Sequence, residues 1–420
     1  MTLDSLLKGI DPLISSTLDR ALNDRAISDK QAVELFDSTG TEMNVVVLVA
    51  NELRRRTVGN NVTYVINRNI NFTNVCIKRC GFCAFSRDFR QEEGYFLPIE
   101  EIVRRAKEAS DLGATEICIQ AGLPPKMNGH LYVDICKAVK KELPSIHIHA
   151  FSPEEILYGA TRSELSIEEY LKMLKEAGIG SLPGTAAEIL DQEVRDIISP
   201  GRISSKDWIR IIKFAHSMQI PTTSTIMYGH IESSLHKAKH LSLIRSIQEE
   251  THGFTEFVPL SFVHNEAPMY NHNIIPKIRP GADGNEVIKM HAISRIMLHG
   301  HINNIQVSWV KEGPRMSQLL LAAGANDFGG TLINESISTA AGAQYGQLMK
   351  PKQIRSIIRS AGRTPAQRST TYQLLKIYQE DYDSDSDTQL DKVNPQKFGS
   401  YQELIKLDTF RFRDLDQNKK

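Results

Sequence analysis

The sequence has no long hydrophobic run. Its longest purely aliphatic stretch, residues 45–50, falls far short of the roughly 20 residues that span a bilayer, so no membrane partner is expected. The first residues, with Asp4 and Asp11, lack the basic-then-apolar order of a secretion signal. Net charge is missing as well: 50 Lys and Arg balance 50 Asp and Glu. No global field would therefore draw the chain to nucleic acid or anionic lipid. Cysteine is scarce and odd in number, five in 420 residues, and three of the five stand at positions 76, 80 and 83. A secreted disulfide framework would not crowd them so; a reducing, cytoplasmic setting and a metal site fit better. Histidine is absent before His130, so no nearby side chain completes a Cys3His zinc site.

What is present suits a globular enzyme with a large core, 41% hydrophobic and 24% charged. Residues 1–60 have helical patterning: Ser28 with Gln31 forms a capping box, and the periodic stretch 41–58 ends at Gly59. This segment is expected to be an N-terminal helical cap. Eight β-rich runs follow, at 62–70, 115–121, 146–150, 180–183, 221–228, 254–260, 304–309 and 325–330. Helical periodicity lies between them at 99–112, 132–142, 166–177, 204–218, 233–249 and 285–299. Alternating strand and helix implies a parallel sheet, because parallel strands need crossover connections. Eight such units predict an α/β fold of the (βα)8 TIM-barrel type over residues 61–372, with an open doubly wound sheet as the alternative. Residues 373–420 are expected to be a C-terminal extension. Its acid-and-serine run at 381–387 and its closing Lys419 and Lys420 have the composition of a solvated, partly disordered linker, whereas 398–412 could dock as one small helix.

The three clustered thiols follow the first predicted strand, which places them at the C-terminal mouth of a barrel, where barrel active sites lie. Three thiolates can bind three irons of a cubane cluster and leave the fourth iron open to a small molecule. A zinc knuckle or three unrelated core thiols are the alternatives. The spacing C-x3-C-x2-C, with Phe82 just before the last cysteine, resembles the radical S-adenosylmethionine (SAM) superfamily. The resemblance implies that Cys76, Cys80 and Cys83 hold a 4Fe-4S cluster and that the open iron chelates S-adenosyl-L-methionine. It also implies that Phe82 packs on adenine and that Gln120, Ala121 and Gly122 supply the glycine-rich backbone contact, with Ala at the middle position where Gly is usual. Cys118 and Cys136 have apolar neighbours and suit the core.

Further blocks sharpen the resemblance: 149–153 (His-Ala-Phe-Ser-Pro), 182–188 (Leu-Pro-Gly-Thr-Ala-Ala-Glu), 227–230 (Met-Tyr-Gly-His), 254–268, 306–311 and 329–338. Over about residues 40–372 these resemble the tyrosine-transferring subunits of FO synthase (CofH), which act in deazaflavin coenzyme biosynthesis. The resemblance implies a radical SAM transferase that joins the 4-hydroxybenzyl group of L-tyrosine to 5-amino-6-(D-ribitylamino)uracil. In that chemistry a 5'-deoxyadenosyl radical takes a hydrogen from the tyrosine amino group. It further implies a separate cyclising FO synthase subunit (CofG) and an electron donor such as ferredoxin or flavodoxin. A menaquinone-pathway radical enzyme, either aminofutalosine synthase or the cyclase, is the nearest alternative. An iron-sulfur electron carrier or a zinc-stabilised binding module is the alternative from another class.

Polar residues at or just beyond the predicted strand ends are candidates for substrate contact: Tyr228, His230, His264, Glu266, Asn334 and Glu335. For His230 and His264 a purely structural role is an equal alternative. Glu188, after a Pro-Gly turn, is expected either to open a helix and interact with its dipole or to bond the cofactor's ribose or amine. His147 and His149 alternate along the third strand and suit barrel-interior packing better than metal ligation.

Overall fold

Asn61 to Ile70 form one extended stave that breaks at Ile66 into β1 (Asn61–Val65) and β2 (Asn67–Ile70). In this computed structural model residues 2–379 and 388–413 are described; the run 381–387 and the two terminal lysines lie outside them. Around the stave stand β3 (Glu116–Ile119), β4 (His147–Ala150), β5 (Thr222–Tyr228), β6 (Phe254–Ser261) and β7 (Asp327–Gly330). β2 pairs with β3 and β3 with β4, β5 pairs with β6, and β7 returns to β1, every pair parallel. The gaps are closed by parallel bridges from His149 to Ser181, Leu182 to Thr222, Phe257 to Ile305, Gln306 to Asp327 and Arg68 to Ile333. The result is a closed ring of eight staves in chain order, which is the expected barrel and not an open sheet.

Two predicted strands are thereby shortened to bridges. At 180–183, Pro183 has no N–H to give a ladder, and Gly184 passes so close to the next stave that a Cβ there would lie 2.1 Å from the Thr223 oxygen. At 304–309 a side chain replaces part of the ladder, since the Ile305 N–H donates to Asn326 Oδ1 at 2.9 Å. Trp309, expected to end that strand, instead begins the helix Trp309–Leu320, which kinks at Gly313 (φ 75°) before Pro314.

The six predicted helices form within one or two residues of their expected bounds, and Ser or Asp caps set the starts of four of them. Ser166, Ser204 and Ser233, for instance, each accept from the backbone N–H three positions on. Pro153–Arg162, Gln192–Ile198 and Pro351–Ser360 are additional helices. The N-terminal helices Asp29–Asp37 and Gly40–Val58 pack on the outer helices Ser234–Thr251 and Gly284–Leu298. Ser28 and Gln31 make the expected capping box, and Gly59 ends its helix at φ 66°.

A hairpin absent from the sequence expectation, β8 (Thr364–Arg368) and β9 (Leu374–Ile377), adds β8 parallel to β1 and runs across residue 372. Arg368 of β8 lies inside the barrel between Asp327 and Glu256 and closes its floor. Residues 388–413 do not form one helix. Gly399 (φ 70°) interrupts them, leaving short turns around the single turn Tyr401–Leu404. They still dock: Phe96 N–H donates to Phe410 O at 2.7 Å, Phe412 N–H donates to Gly94 O at 2.8 Å, and Tyr401 is buried against Phe85 with ring centroids 5.5 Å apart.

Candidate active site at the mouth of the barrel

The cysteine loop leaves β2 and is pinned by backbone bonds to three distant segments. Gly122 N–H donates to Thr73 O at 2.9 Å and Ile77 N–H to Leu123 O at 2.8 Å; Gly81 N–H donates to Ile198 O at 2.9 Å and Met269 N–H to Gly81 O at 2.7 Å. So held, Cys76, Cys80 and Cys83 line one cavity of about 370 Å3 at the C-terminal ends of the staves. All three are free thiols. Burial pushes the Cys76 thiol up and Cys80 to about 12, and each is raised further by its neighbouring thiols. Thiolates crowded in this way need a cationic partner.

The donor set fits a cluster. Among the described residues no three His, Cys, Asp or Glu side chains surround one single-ion position, whereas a cubane takes one thiolate per iron. Three soft sulfur donors on one rigid loop, facing a cavity with room beyond them, match that requirement and leave one corner open. By contrast, Cys136 is buried in its helix with its thiol raised to about 12, and Cys118 is raised by burial within β3.

Arg202, which no sequence signal marked, organises the wall beside the thiols. Its guanidinium donates to Glu188 Oε1 at 2.6 Å and to Glu154 Oε2 at 3.3 Å, and stands 5.5 Å from the centre of the Phe82 ring. Burial works against its charge, but Cys80, Glu188 and Glu154 outweigh burial and hold it protonated. Lys78 pairs with Glu154 at 3.3 Å. Gln120 accepts from Thr185 Oγ1 at 3.0 Å, and Glu155 accepts from the Ala121 N–H at 3.0 Å while completing the Ser152 capping box. Glu188 does not open a helix. It sits in a bend with φ 43°, four residues before the helix Gln192–Ile198, so the helix-dipole expectation falls away. Phe151, Ala186, Leu332 and Asn334 also have left-handed φ just beyond strand ends or bridges, a concentration of backbone strain typical of functional loops.

Of the residues singled out in the sequence, Phe82, Gln120, Gly122, Glu188 and Glu335 join the thiols in lining the cavity. Glu335 enters from the segment after β7, with Oε1 accepting from Ser338 N–H at 2.9 Å and Oε2 from Thr339 N–H at 3.3 Å. Tyr228, His230, His264 and Asn334 are not among the lining residues. Tyr228 is fully buried and its hydroxyl has no hydrogen-bond partner among the described residues. His230 is fully buried; its Nδ1 accepts from Ile231 N–H at 2.8 Å and its Nε2 stands 3.1 Å from Met227 O, a satisfied structural imidazole. His264 packs edge-on to Tyr270, and Glu266 is exposed. Asn334 accepts from Arg68 at 2.6 Å and donates to Phe398 O at 3.0 Å, tying the barrel to residues 388–413. His147 and His149 both meet the Ser181 hydroxyl, at 2.8 and 2.7 Å, in keeping with interior packing.

A radical SAM superfamily model matches residues 70–243, so the fold and the site belong to a radical SAM enzyme, a class that uses a 4Fe-4S cluster and S-adenosyl-L-methionine. A second model, described as the CofH/MqnC C-terminal region, matches residues 251–381. The chain is 51% identical over 356 residues to the 5-amino-6-(D-ribitylamino)uracil--L-tyrosine 4-hydroxyphenyl transferase of Methanocaldococcus jannaschii, covering 84% of this chain and 98% of that one. It is 47% identical to the Methanothermobacter thermautotrophicus protein of the same name, covering 84% and 95%. The chain belongs to this transferase family. The C-terminal model names two groups, and these relatives decide between them in favour of the transferase over the menaquinone-pathway alternative. The solved structure of the FeFe-hydrogenase maturase HydG from Carboxydothermus hydrogenoformans shares the fold, with TM-score 0.66 at 16% identity over 88% of this chain and 83% of that one. Methylornithine synthase (PylB) also shares it, with TM-score 0.62 at 18% identity over 83% and 97%.

Proposed function

We propose that the chain transfers the 4-hydroxybenzyl group of L-tyrosine to 5-amino-6-(D-ribitylamino)uracil, with Cys76, Cys80 and Cys83 holding the cluster. The cluster and S-adenosyl-L-methionine, when bound, supply a 5'-deoxyadenosyl radical by one-electron reductive cleavage. The protein's own contribution is to place and seal the reactants. Phe82 offers a ring face to the adenine, Gln120 and Gly122 border the nucleoside, and Glu188, fixed by Arg202, presents a carboxylate to ribose or amine. Glu335 borders the substrate half of the cavity. Tyr228, His230, His264 and Asn334 act from behind the lining, as supports for the loops that carry it. Ferredoxin or flavodoxin would supply the electron, and a separate cyclising subunit would close the deazaflavin ring.

The observation that carries this reading is the match, at about half identity over 84% of this chain, to relatives bearing that activity in their name. The test is anaerobic: cluster-loaded, reduced protein is given S-adenosyl-L-methionine, L-tyrosine and the ribityl uracil. A tyrosine-dependent 4-hydroxybenzyl adduct of the uracil is expected. Cleavage of S-adenosyl-L-methionine without that adduct would overturn the substrate assignment.

Among the described residues no helix is long and apolar enough to cross a membrane.

A further inference from the structure

Three cations line the cavity, Lys78, Arg202 and Lys311. Two are committed: Lys78 to Glu154, and Arg202 to Glu154 and Glu188. Lys311 is different. Among the described residues its Nζ has no hydrogen bond and no carboxylate partner, although the chain around it is ordered, with its backbone N–H on Ser308 O at 3.0 Å. The carboxylates that act on it are already engaged. Glu335 is held by the N–H groups of Ser338 and Thr339, Glu188 by Arg202, and Glu312 by Ser261, with Glu312 Oε1 left without a hydrogen-bond partner among the described residues. A partly buried ammonium facing a cavity with no carboxylate in direct contact is costly unless an anion arrives.

Its place in the mouth narrows which anion that is. Lys311 lines the same cavity as the thiols but follows the stave at Ile305–Gln306, outside the cysteine loop. Of the two substrates, the ribityl uracil is a neutral polyol and the amino acid carries a carboxylate. We propose that Lys311 holds the α-carboxylate of the amino-acid substrate, a subsite that rests on the transferase reading above. Burial lowers the Lys311 ammonium below the ordinary lysine range against the pull of those three glutamates, and a bound carboxylate would add to that pull. The side chain thus selects amino acids over the corresponding amines.

The test measures equilibrium binding of L-tyrosine and of its decarboxylated analogue tyramine to cluster-loaded protein under anaerobic conditions, for the wild type, Lys311→Met and Lys311→Arg. Methionine keeps the side chain's length and apolar stem, and iron content with circular dichroism shows that the variants fold. Lys311→Met should weaken tyrosine about 30-fold, about 2 kcal/mol at 1.4 kcal/mol per tenfold. Tyramine affinity should stay within about twofold, and Lys311→Arg should regain most of the loss. Unchanged tyrosine affinity in Lys311→Met, or equal loss for tyrosine and tyramine, would overturn the proposal. Adduct formation by the wild type is scored separately: a wild type that turns over while Lys311→Met keeps its affinity sinks only the lysine. A wild type that forms no adduct sinks the transferase reading itself.

Discussion

The Val75 carbonyl oxygen occupies the space that a side chain on Gly122 would need, 2.3 Å from the ideal Cβ position. The backbone after β3 therefore lies directly on the start of the cysteine loop, and only glycine permits that approach. Gly122→Ala should force the two segments apart, costing roughly 1–3 kcal/mol of stability and lowering the iron bound after anaerobic reconstitution. Ala121→Gly, one position earlier, should leave iron content unchanged. Full iron in Gly122→Ala would show that the loop does not depend on this contact.

Arg202 is the shared counterion of Glu154 and Glu188. Arg202→Met leaves Glu188, its side chain only 13% exposed, without a cationic partner and Glu154, only 5% exposed, with Lys78 alone, so chemical denaturation should show a loss of about 3 kcal/mol. The triple variant Arg202→Met, Glu154→Gln, Glu188→Gln should recover part of that loss, because it removes the orphaned charges. A triple variant as unstable as Arg202→Met alone would point to packing and not charge.

The five cysteines should divide cleanly. Ser at position 76, 80 or 83 should abolish cluster binding, read as acid-labile sulfide and brown absorbance. Cys118→Ala and Cys136→Ala should keep both, with only a core-packing penalty. Equal loss in the two sets would show that the thiols have been wrongly assigned.

His240 is buried and neutral: its Nδ1 accepts from Leu190 N–H at 3.1 Å and its Nε2 lies 3.0 Å from Thr225 O. Burial lowers its pKa from 6.5 to about 3. A lowered imidazole pKa adds stability that is present above pH 6.5 and lost as pH falls toward 3, since the unfolded chain takes up the proton first. Between pH 6 and 5 the wild type should lose about 1 kcal/mol more than His240→Gln, read from urea midpoints. Parallel curves for the two proteins would mean that the imidazole is not held neutral.

Tyr401 fixes residues 388–413 against the two ends of the cysteine loop, accepting from Asn74 Nδ2 at 3.3 Å and packing on Phe85. Tyr401→Ala should cost roughly 3 kcal/mol locally, raise amide exchange at Phe96 and Phe412, and shorten the cluster's lifetime in air. Bleaching at the wild-type rate would show that the segment does not shield the metal site.

Much of this architecture was legible because its signals are local. Periodicity of 3.6 residues places six helices, four of them begun by a Ser or Asp cap, and the short β-rich runs place the staves. The thiol spacing marks the metal site without help from tertiary structure. What stayed hidden depends on contacts across the chain. Residues 364–377 carry weak strand patterning and become β8 and β9 only by pairing with β1. Arg202 and Lys311 enter the mouth from a loop and a helix start, where no periodicity marks a side chain's direction. Tyr228, His230 and Asn334 have the right address but point into bonds or packing behind the lining. The helix Pro153–Arg162 could have been found, since Ser152 and Glu155 spell its capping box.

Asn74 and Tyr401 are 327 residues apart in sequence. At the pace of ribosomal synthesis, about 5–20 residues per second, roughly 16 to 65 s pass between the emergence of the two. During that interval Asn74 and Phe85, which flank the thiols, stand without the side chain they later pack against. Until residues 388–413 arrive, the cysteine loop depends on its backbone bonds to the barrel, such as that from Ile77 to Leu123, for its shape.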